Sequence, residues 1–409
     1  MHDIPVNAVT LKRGLTLPLI IFYGIGNILG AGIYVLIGKV AGHAGYLTPV
    51  AFLCAAFVAG LTAFTFAELS SRYPFSAGEA IYIKHGLGSR FLSMGIGLLI
   101  ILAGTVSAAT IARGVVGYVD IFLQLPNWLV ICVLVSILGL LAAWGIMESI
   151  RTAALFTLIE IGGLMLIIVI GIPYLQFLPD KIHNFIPPPD ITSWKGITLG
   201  AFLAFYAFVG FEDMVNVAEE VKDVKKNLPL AILISLFTTS VLYIAVAVVA
   251  LLILEPDELA RSEAPLAAIY TRVSGNAPYV ISVISMFAVV NGALIQIIMA
   301  SRVCYGLSRQ QWLPAWLGIV HPRTRTPLYA TMVVTAMVII MAVAFPIESL
   351  ARTTSYCLMI SFALVNLSLL LIKLREPVPE DAFTISIAVP AAGFISCVLF
   401  IVFQLVLSV

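Results

Sequence analysis

Apolar residues form eleven long runs along this chain, separated by short polar segments. Each run is long enough to cross the roughly 30 Å hydrocarbon core of a bilayer as a helix, and the segments between the runs are too short for a soluble domain. The pattern therefore predicts an all-α polytopic membrane protein, with about eleven transmembrane helices in one domain over residues 1–409. The runs lie at 15–38, 46–67, 91–112 (extending to about 118), 127–147, 152–175, 196–220, 230–254, 275–308, 328–346, 349–372 and 384–408.

Two of these runs are interrupted by residues that weaken a membrane helix. The middle of the first run carries four glycines within nine residues, at positions 24, 26, 30 and 32, and the sixth run carries Gly210 followed by Glu212 and Asp213. Close packing through small residues would explain a pair of glycines. Four glycines with a matching interruption in a second run instead favour helices that break to line a polar ligand, because glycine loses the most backbone entropy on ordering.

Interrupted helices at corresponding places, in runs 1 and 6, indicate an inverted repeat of five plus five helices with the binding site at the bilayer midplane. The first repeat would cover about 15–175 and the second about 196–373, with an extra helix at about 384–408. A broken helix frees backbone N–H groups at one half-helix start and carbonyls at the other half-helix end. An amino acid zwitterion fits such opposed ends without any charged side chain.

Composition agrees with a membrane carrier and argues against other classes. Hydrophobic residues make up 61% of the chain, charged residues 11%, and the mean hydropathy is +1.09. The net charge of +1 points to no nucleic-acid partner, and the five cysteines lie in apolar runs at spacings unlike a metal site or disulfide framework. We find no nucleophile with a base and no phosphate-binding loop, so we expect no enzyme and no cofactor.

The distribution of Lys and Arg predicts the orientation. With a cytoplasmic N-terminus, most basic residues fall on or near the inner side, and the odd number of spans places Val409 outside. The first run reads as a retained span of a plasma-membrane or bacterial inner-membrane protein, without a signal peptide. The inner set is Lys12, Arg13, Arg72, Lys84, Arg90, Arg151, Lys222, Lys225, Lys226, Arg309, Arg323, Arg325, Lys373 and Arg375; the outer set is Lys39, Arg113, Lys181, Lys195, Arg261, Arg272 and Arg352.

Motifs along nearly the whole chain resemble the amino acid-polyamine-organocation (APC) family of transporters, which have the LeuT-like fold. Four groups occur in family order: GNILGAGI at 26–33; AELSSRYP and GEAIY at 67–74 and 78–82; AFVGFE, AEEVKD and NLP at 207–212, 218–223 and 227–229; and SR, LP and HPRTRTP at 301–302, 313–314 and 321–327. Each group alone is modest evidence, but all four in this order are difficult to obtain by chance.

The resemblance implies how the substrate is held. The amides of Ala31 and Gly32 would bind the substrate carboxylate, with Gly30 allowing close approach. The carbonyls of Ile28, Tyr206 and Val209 would bind the ammonium, beside the break at Gly210. Tyr206 stands where the family often has an aromatic gate, and a packed aromatic is the equal alternative.

Glu160 departs from the family. Many relatives carry a lysine in this fifth span, whereas the stretch here reads TLIEIG at 157–162. A carboxylate about two turns inside the membrane is costly unless it is paired, protonated or metal-bound. The functional alternatives are a titrating proton carrier or a ligand for an inorganic cation or a cationic substrate. The structural alternative is a permanent pair with a basic residue such as Arg302.

The remaining carboxylates have several readings. Glu212 and Asp213 cannot both face one cavity, because adjacent helical residues point about 100° apart. Glu212 matches the family acid after the break and would receive backbone donors. Asp213 would bind a basic substrate or cap the same turn. Two roles are open for the carboxylates near the cytoplasmic helix ends, Glu68, Glu219 and Glu220. They are either ion-paired or solvated side chains at these ends, or members of salt bridges that form an inner gate.

We therefore expect a secondary transporter of amino acids that works by alternating access, with Glu160, Asp213 and Glu212 as coupling candidates. Proton-coupled symport and amino acid exchange both stay open. Sodium coupling is disfavoured because the centre of run 8 has no Ser or Thr pair. A polyamine or cationic amino acid antiporter, a non-transporting receptor, and a carrier with a single-span partner are the alternatives. The extra carboxylates favour cationic or neutral substrates over acidic ones.

Overall fold

The computed structural model describes residues 13–29, 32–76, 78–119, 125–144, 146–262, 264–276, 278–345, 347–377, 379 and 381–407. Within this part the chain is helical and has no β-strand; Leu15 and Val221 form an isolated parallel bridge. The prediction of an all-α protein is confirmed.

Sixteen α-helices and five 3₁₀ segments make up the described part. The α-helices are α1 Leu17–Leu29, α2 Gly32–Ala44, α3 Thr48–Arg72, α4 Gly78–Leu87, α5 Arg90–Val119, α6 Asn127–Trp144, α7 Ile146–Gly171, α8 Leu178–Lys181, α9 Ile191–Phe208, α10 Val224–Ile253, α11 Pro256–Arg261, α12 Pro265–Ser274, α13 Tyr279–Arg309, α14 Leu328–Ala344, α15 Ile347–Arg375 and α16 Ala388–Leu407. The 3₁₀ segments are Gly45–Leu47, Ile172–Phe177, Ile182–Phe185, Glu212–Glu220 and Ala315–Gly318.

Nine helical stretches in the described residues are long and apolar enough to cross a membrane, and two shorter apolar helices, Leu328–Ala344 and Ala388–Phe403, accompany them. These eleven correspond one to one with the predicted runs, so the chain is a multi-pass membrane protein. Four helices between the spans, α4, α8, α11 and α12, were not predicted. These helices are too short to produce a long apolar run, and α4 and α11 also carry acidic residues in their first turns.

The two predicted interruptions lie where helices end. Helix α1 ends at Leu29 and α2 begins at Gly32; residues 30 and 31 lie outside the described part. Helix α9 ends at Phe208, and after Gly210, whose φ is +130°, the chain continues as the 3₁₀ segment Glu212–Glu220. That φ is accessible to glycine and strained for other residues.

The first two glycines of run 1 serve packing and not the break. Gly24 and Gly26 lie inside the continuous helix α1. A Cβ on Gly26 would lie 2.0 Å from Thr157 Oγ1, and a Cβ on Gly24 would lie 2.4 Å from the Met214 sulfur. The expectation that all four glycines mark one unwound stretch is therefore wrong for this pair: small residues here let α1 approach its neighbours closely.

Burial separates central from peripheral helices. Of the apolar window in α13, 71% is buried, against 28% in α6, whose Leu140 and Trp144 are exposed and available to lipid. Aromatic rings fill the centre around the end of α9, where Phe208 packs on Phe52 and Tyr243. This packing fixes the ends of the broken helices against α3 and α10.

One end of the molecule, which we call the basic face, carries the ends of α3, α13 and α15, the starts of α5 and α10, and helix α4. Contacts join these elements: Lys373 pairs with Glu68, Arg90 donates to the carbonyl of Gln311, and Arg375 donates to the carbonyl of Gly86. The opposite end carries Tyr46, Lys181 and Glu255, which contact one another. The boundaries of the two repeats stay a prediction.

Candidate functional site

A cavity lies between the ends of the broken helices. It contains about 330 Å³ of space, part of it open to solvent. Five helices contribute to its wall, because α1, α2 and α9 end or begin there while α5 and α13 pass beside it. The lining residues are Asn27, Ile28, Gly32, Ser107, Ile111, Tyr206, Val209 and Gln296.

The polar end of this cavity is a network around the carboxylate of Asp213. Asn27 Nδ2 donates to Asp213 Oδ2 over 2.5 Å, and Gln296 Nε2 donates to the same oxygen over 2.6 Å. Asn27 Nδ2 also donates to the carbonyl of Gly210 over 2.6 Å. Asp213 is 2% exposed. Two amide donors hold this buried carboxylate, so it ties α1, the α9 break and α13 together at the cavity wall.

The helix ends at the cavity are fastened by a residue that the sequence analysis did not select. The hydroxyl of Tyr243 on α10 lies 2.6 Å from the carbonyl of Ile28 and 3.0 Å from the carbonyl of Ala207. Both carbonyls belong to last helical turns, which have no partner within their own helices. Nothing in the sequence around Tyr243 predicts this role, because one tyrosine in the apolar run 230–254 looks like an ordinary packing residue.

Tyr206 and Val209 form the wall between the main cavity and a smaller apolar hollow. The hollow contains about 200 Å³, and its other lining residues are Phe202, Phe205, Leu358 and Met359. Tyr206 is half-buried, and its hydroxyl has Ser107 as a hydrogen-bond partner. The ring is thus neither fully packed nor free, and its role as a gate stays a prediction.

The adjacent carboxylates Glu212 and Asp213 diverge, as helical rotation requires. Glu212 Oε2 accepts a hydrogen bond from the backbone N–H of Gly210 over 2.8 Å. It therefore stabilises the break itself and is not among the residues that line the cavity. Asp213 points instead to Asn27 and Gln296.

Glu160 lies in a separate cluster formed by α7 and α13. Its Oε1 accepts from Asn291 Nδ2 over 2.7 Å, and the same amide nitrogen lies 3.2 Å from Thr157 Oγ1. Thr157 Oγ1 lies 3.1 Å from the carbonyl of Phe22 on α1. Glu160 is completely buried, and neither its Oε2 nor Asn291 Oδ1 has a hydrogen-bond partner among the described residues.

The pairing of Glu160 with Arg302, which the sequence left open, is wrong. Arg302 Nε lies 3.1 Å from Glu220 Oε1, and both side chains are fully buried below the cavity. Arg302 follows Asn291 on α13 by 11 residues, about three turns, so it bonds to Glu220 near the basic face and not to Glu160. The charge of Glu160 has no basic partner in the described part of the chain.

Two carboxylates at the basic face, Glu68 and Glu220, are ion-paired. Glu68 pairs with Arg72 and Lys373, and it also accepts from the backbone N–H of Ile385, which precedes α16. The carbonyl of Glu220 accepts from the backbone N–H groups of Gly14 and Leu15. These contacts hold the chain before α1 against the end of the 3₁₀ segment and close this face below the cavity.

The predicted binding residues divide into three groups. Ile28, Gly32, Tyr206 and Val209 line the cavity, and Gly210 lies beside it against Asn27. Gly30 and Ala31 lie outside the described residues. The coupling candidate Glu160 is not among the residues that line the cavity. The sequence analysis missed Asn27 and Gln296, although a polar amide in each of two apolar runs was a usable signal.

Comparison with known proteins adds independent information. A family model described as amino acid permease matches residues 15–409. The chain is 31% identical over 395 residues to a plant cationic amino acid transporter, "Cationic amino acid transporter 3, mitochondrial" of Arabidopsis thaliana, with 91% of this chain and 64% of that protein covered. The chain thus spans slightly under two thirds of that relative.

Two similar proteins of Bacillus subtilis are named for other substrates. A branched-chain amino acid permease is 26% identical over 402 residues, covering 91% of this chain and 84% of that protein. A methylthioribose transporter is 26% identical over 407 residues, covering 95% and 87%. The substrates in the names of these similar proteins therefore differ in charge and in chemical class.

Proposed function

Because this chain belongs to the amino acid permease family, we propose that it carries an amino acid across the membrane by alternating access. The observation that carries this proposal is the cavity at the two helix interruptions, with Asn27 and Gln296 at its polar end and Val209 at its apolar side. The amino acid backbone would bind at the interruptions, to Ile28, Gly32, Tyr206 and Val209, with Gly30, Ala31 and Gly210 as neighbours. Alternate opening of the two faces would then move it.

The side chain of this substrate would be cationic or neutral. Asp213 is held at the cavity end by two amides, and a second carboxylate in this low-dielectric site would be repelled. The apolar hollow behind Tyr206 and Val209 offers room for a neutral side chain if Tyr206 turns. A plant relative named for cationic amino acids and a bacterial relative named for branched-chain ones support these two classes.

We place the basic face on the cytoplasmic side of a plasma or bacterial inner membrane, following the excess of Lys and Arg there. Glu160 would bind the coupling ion, a proton or a small cation, because an oxygen of its buried carboxylate is left without a partner. Thr157 and Asn291 connect this carboxylate to α1, one of the helices that form the cavity. Binding at Glu160 would therefore bias the position of α1.

Reconstituted protein tests the proposal. Proteoliposomes are loaded with unlabelled L-arginine, L-lysine, L-leucine, L-alanine or L-glutamate, and entry of the same labelled amino acid is measured. We expect counterflow with a cationic or neutral amino acid and none with L-glutamate. Binding without counterflow for every compound would indicate a receptor, and fastest counterflow with L-glutamate would refute the substrate assignment. Asn27→Ala removes an amide at the cavity and should reduce counterflow, whereas Asp257→Ala at the opposite face should not.

A further inference from the structure

The segment that follows the α9 break is a 3₁₀ helix of nine residues, Glu212–Glu220. Runs of this length are uncommon, because the geometry of 3₁₀ hydrogen bonds is poorer than in an α-helix. Three residues complete one turn, so residues three apart lie in one line along the segment. Asp213, Asn216 and Glu219 form such a line, which we call the polar ridge. It leads from the cavity toward the basic face.

Helix α4 and Ser76, which lies two residues before it, dock on this ridge. The backbone N–H of Gly78 donates to Asn216 Oδ1 over 3.1 Å, and Asn216 Nδ2 donates to Glu79 Oε1 over 3.3 Å. The backbone N–H of Ser76 donates to Glu219 Oε1 over 3.1 Å. Asn216 is therefore bound by α4 and Glu219 by the segment before it, and α4 is not among the membrane spans.

The carboxylate of Glu79 is buried at the contact between α4 and the polar ridge. The side chain is 1% exposed, and its Oε2 has no hydrogen-bond partner among the described residues. The nearby hydroxyls of Tyr82 and Ser76 are also buried without partners. No salt bridge of the described residues includes Glu79. An enclosed carboxylate with an open oxygen and no cation is well suited to hold a proton.

We propose that Glu79 is a proton-binding site of the basic face, which holds its proton while α4 is docked on the polar ridge and releases it when the two separate. This inference rests on the proposed transport cycle. In the docked state the neutral carboxyl is buried. When the face opens, water reaches Glu79, the O–H bond breaks, and the proton passes to water on that side while the carboxylate is solvated.

The electrostatics around Glu79 support this assignment. Burial, with a contribution from the charge of Asp213, raises the pKa of Glu79 to about 8 from its ordinary 4.5, against the lowering effect of its own backbone N–H and of Asn216. The titratable groups that face it are Asp213 and Glu212 on the 3₁₀ segment and Tyr82 on α4. Lys84, His85 and Arg375 lie toward the other end of α4, where Arg375 bonds to Gly86.

A first experiment needs no substrate. Thermal unfolding of purified protein is followed from pH 6 to 9 for the wild type, Glu79→Gln, and Glu376→Gln, an exposed carboxylate whose partner is Tyr73. A group with a folded pKa near 8 and an unfolded pKa of 4.5 gives stability that is lost as pH rises between these values. We expect the wild-type Tm to fall about 4 °C more than that of Glu79→Gln between pH 6 and 8. Glu376→Gln should behave as wild type.

Identical pH slopes for the wild type and Glu79→Gln would overturn the proposal. If Glu79→Gln does not fold, Glu79→Asp keeps a titratable carboxyl at a shifted depth. The pH at which the Tm stops falling should then differ from that of the wild type. An unchanged pH would equally reject Glu79 as the group that titrates.

A second experiment tests release during transport. Counterflow of L-arginine or L-leucine is measured at matched internal and external pH, at 6.5 and at 8.5. We expect the wild-type rate to rise about fivefold at the higher pH, because deprotonation favours separation of α4 from the ridge, and Glu79→Gln to show no rise. An equal rise in both would refute release at this residue. If the wild type exchanges no amino acid at all, the proposed function fails, whereas the Tm slopes still decide whether Glu79 binds the proton.

Discussion

Asp213 and Glu160 are both buried carboxylates in membrane-spanning stretches, but their surroundings differ. Asp213 Oδ2 accepts from two side-chain amides, which come from α1 and α13. Glu160 accepts from one amide, and its second oxygen has no partner among the described residues. Asp213 bonds to Asn27 and Gln296, which line the cavity, whereas Glu160 on α7 bonds to Asn291 on α13.

This difference indicates which of the two carboxylates can bind and release a proton or a cation. A buried carboxylate with two charge-assisted hydrogen bonds is held in one position and joins the elements around it. A buried carboxylate with an unsatisfied oxygen is costly as it stands, and a proton or a cation lowers that cost. We therefore assign Asp213 to the shape of the cavity and Glu160 to coupling, and the variants below are chosen to break or sharpen this division.

The largest effect is expected from Asp213→Ala. Loss of the carboxylate removes one buried acceptor from Asn27, which keeps the carbonyl of Gly210, and one from Gln296, at a total cost of about 3 kcal/mol. Because both amides line the cavity, counterflow of the best substrate should fall about 100-fold. The measurement is counterflow with thermal unfolding on the same preparation, and Asp257→Ala is the matched control. Retained counterflow in Asp213→Ala would remove this residue from the cavity network.

Glu160→Gln should separate coupling from exchange. The amide keeps an acceptor for Asn291 but cannot bind a proton or a cation, so uptake driven by an imposed gradient should fall about 30-fold, or roughly 2 kcal/mol. Counterflow without a gradient should stay within about twofold of wild type, because the cavity lining is unchanged. Gradient-driven uptake at the wild-type level would show that Glu160 is a structural acid and would end the contrast with Asp213.

Asn291→Ala tests how strongly the single donor matters to Glu160. Removing it leaves the carboxylate with no side-chain donor among the described residues and should destabilise the protein by about 1.5 kcal/mol. The same change in the Glu160→Gln background should cost less, since a neutral amide is cheaper to leave unpaired. A double-mutant cycle by chemical unfolding gives the coupling energy. A value of zero would mean that the 2.7 Å contact contributes no net interaction.

Tyr243→Phe supplies a comparison with an uncharged group at the ends of the broken helices. It removes the hydroxyl shared by the carbonyls of Ile28 and Ala207 and should cost about 1 kcal/mol, less than any change at the carboxylates. Tyr329→Phe, on an exposed ring, is the control and should be neutral within about 0.5 kcal/mol. If Tyr243→Phe proved as damaging as Asp213→Ala, the hydroxyl and not the carboxylate would be the principal tie between the broken helices.

The sequence predicted the spans and the interruptions well because both depend on local composition. A single apolar run crosses a bilayer as a helix, and in the described residues each of the eleven runs matches one of nine long or two shorter apolar helical stretches. Gly210, with two carboxylates after it, marked the end of α9 because a helix rarely tolerates that combination at this depth. Gly24 and Gly26 were misread because a glycine that packs and a glycine that breaks a helix look the same in one sequence.

Partners of charged residues could not be read from the chain. Arg302 and Glu160 are both isolated charges in apolar runs, and nothing local indicates that Arg302 bonds to Glu220 while Glu160 bonds to Asn291. Such pairs join residues more than eighty positions apart. They depend on the rotation and depth of each helix, which only the assembled bundle sets.

The sequence by itself determined that this protein is a multi-pass helical membrane protein with two interrupted spans, because the hydrocarbon core accepts few backbone conformations. The tertiary structure decided which polar groups meet: Asn27 and Gln296 on Asp213, Tyr243 on two helix ends, and α4 on the 3₁₀ segment. The physical reason is that hydrophobicity acts residue by residue, whereas a hydrogen bond requires two groups to lie within about 3 Å of each other.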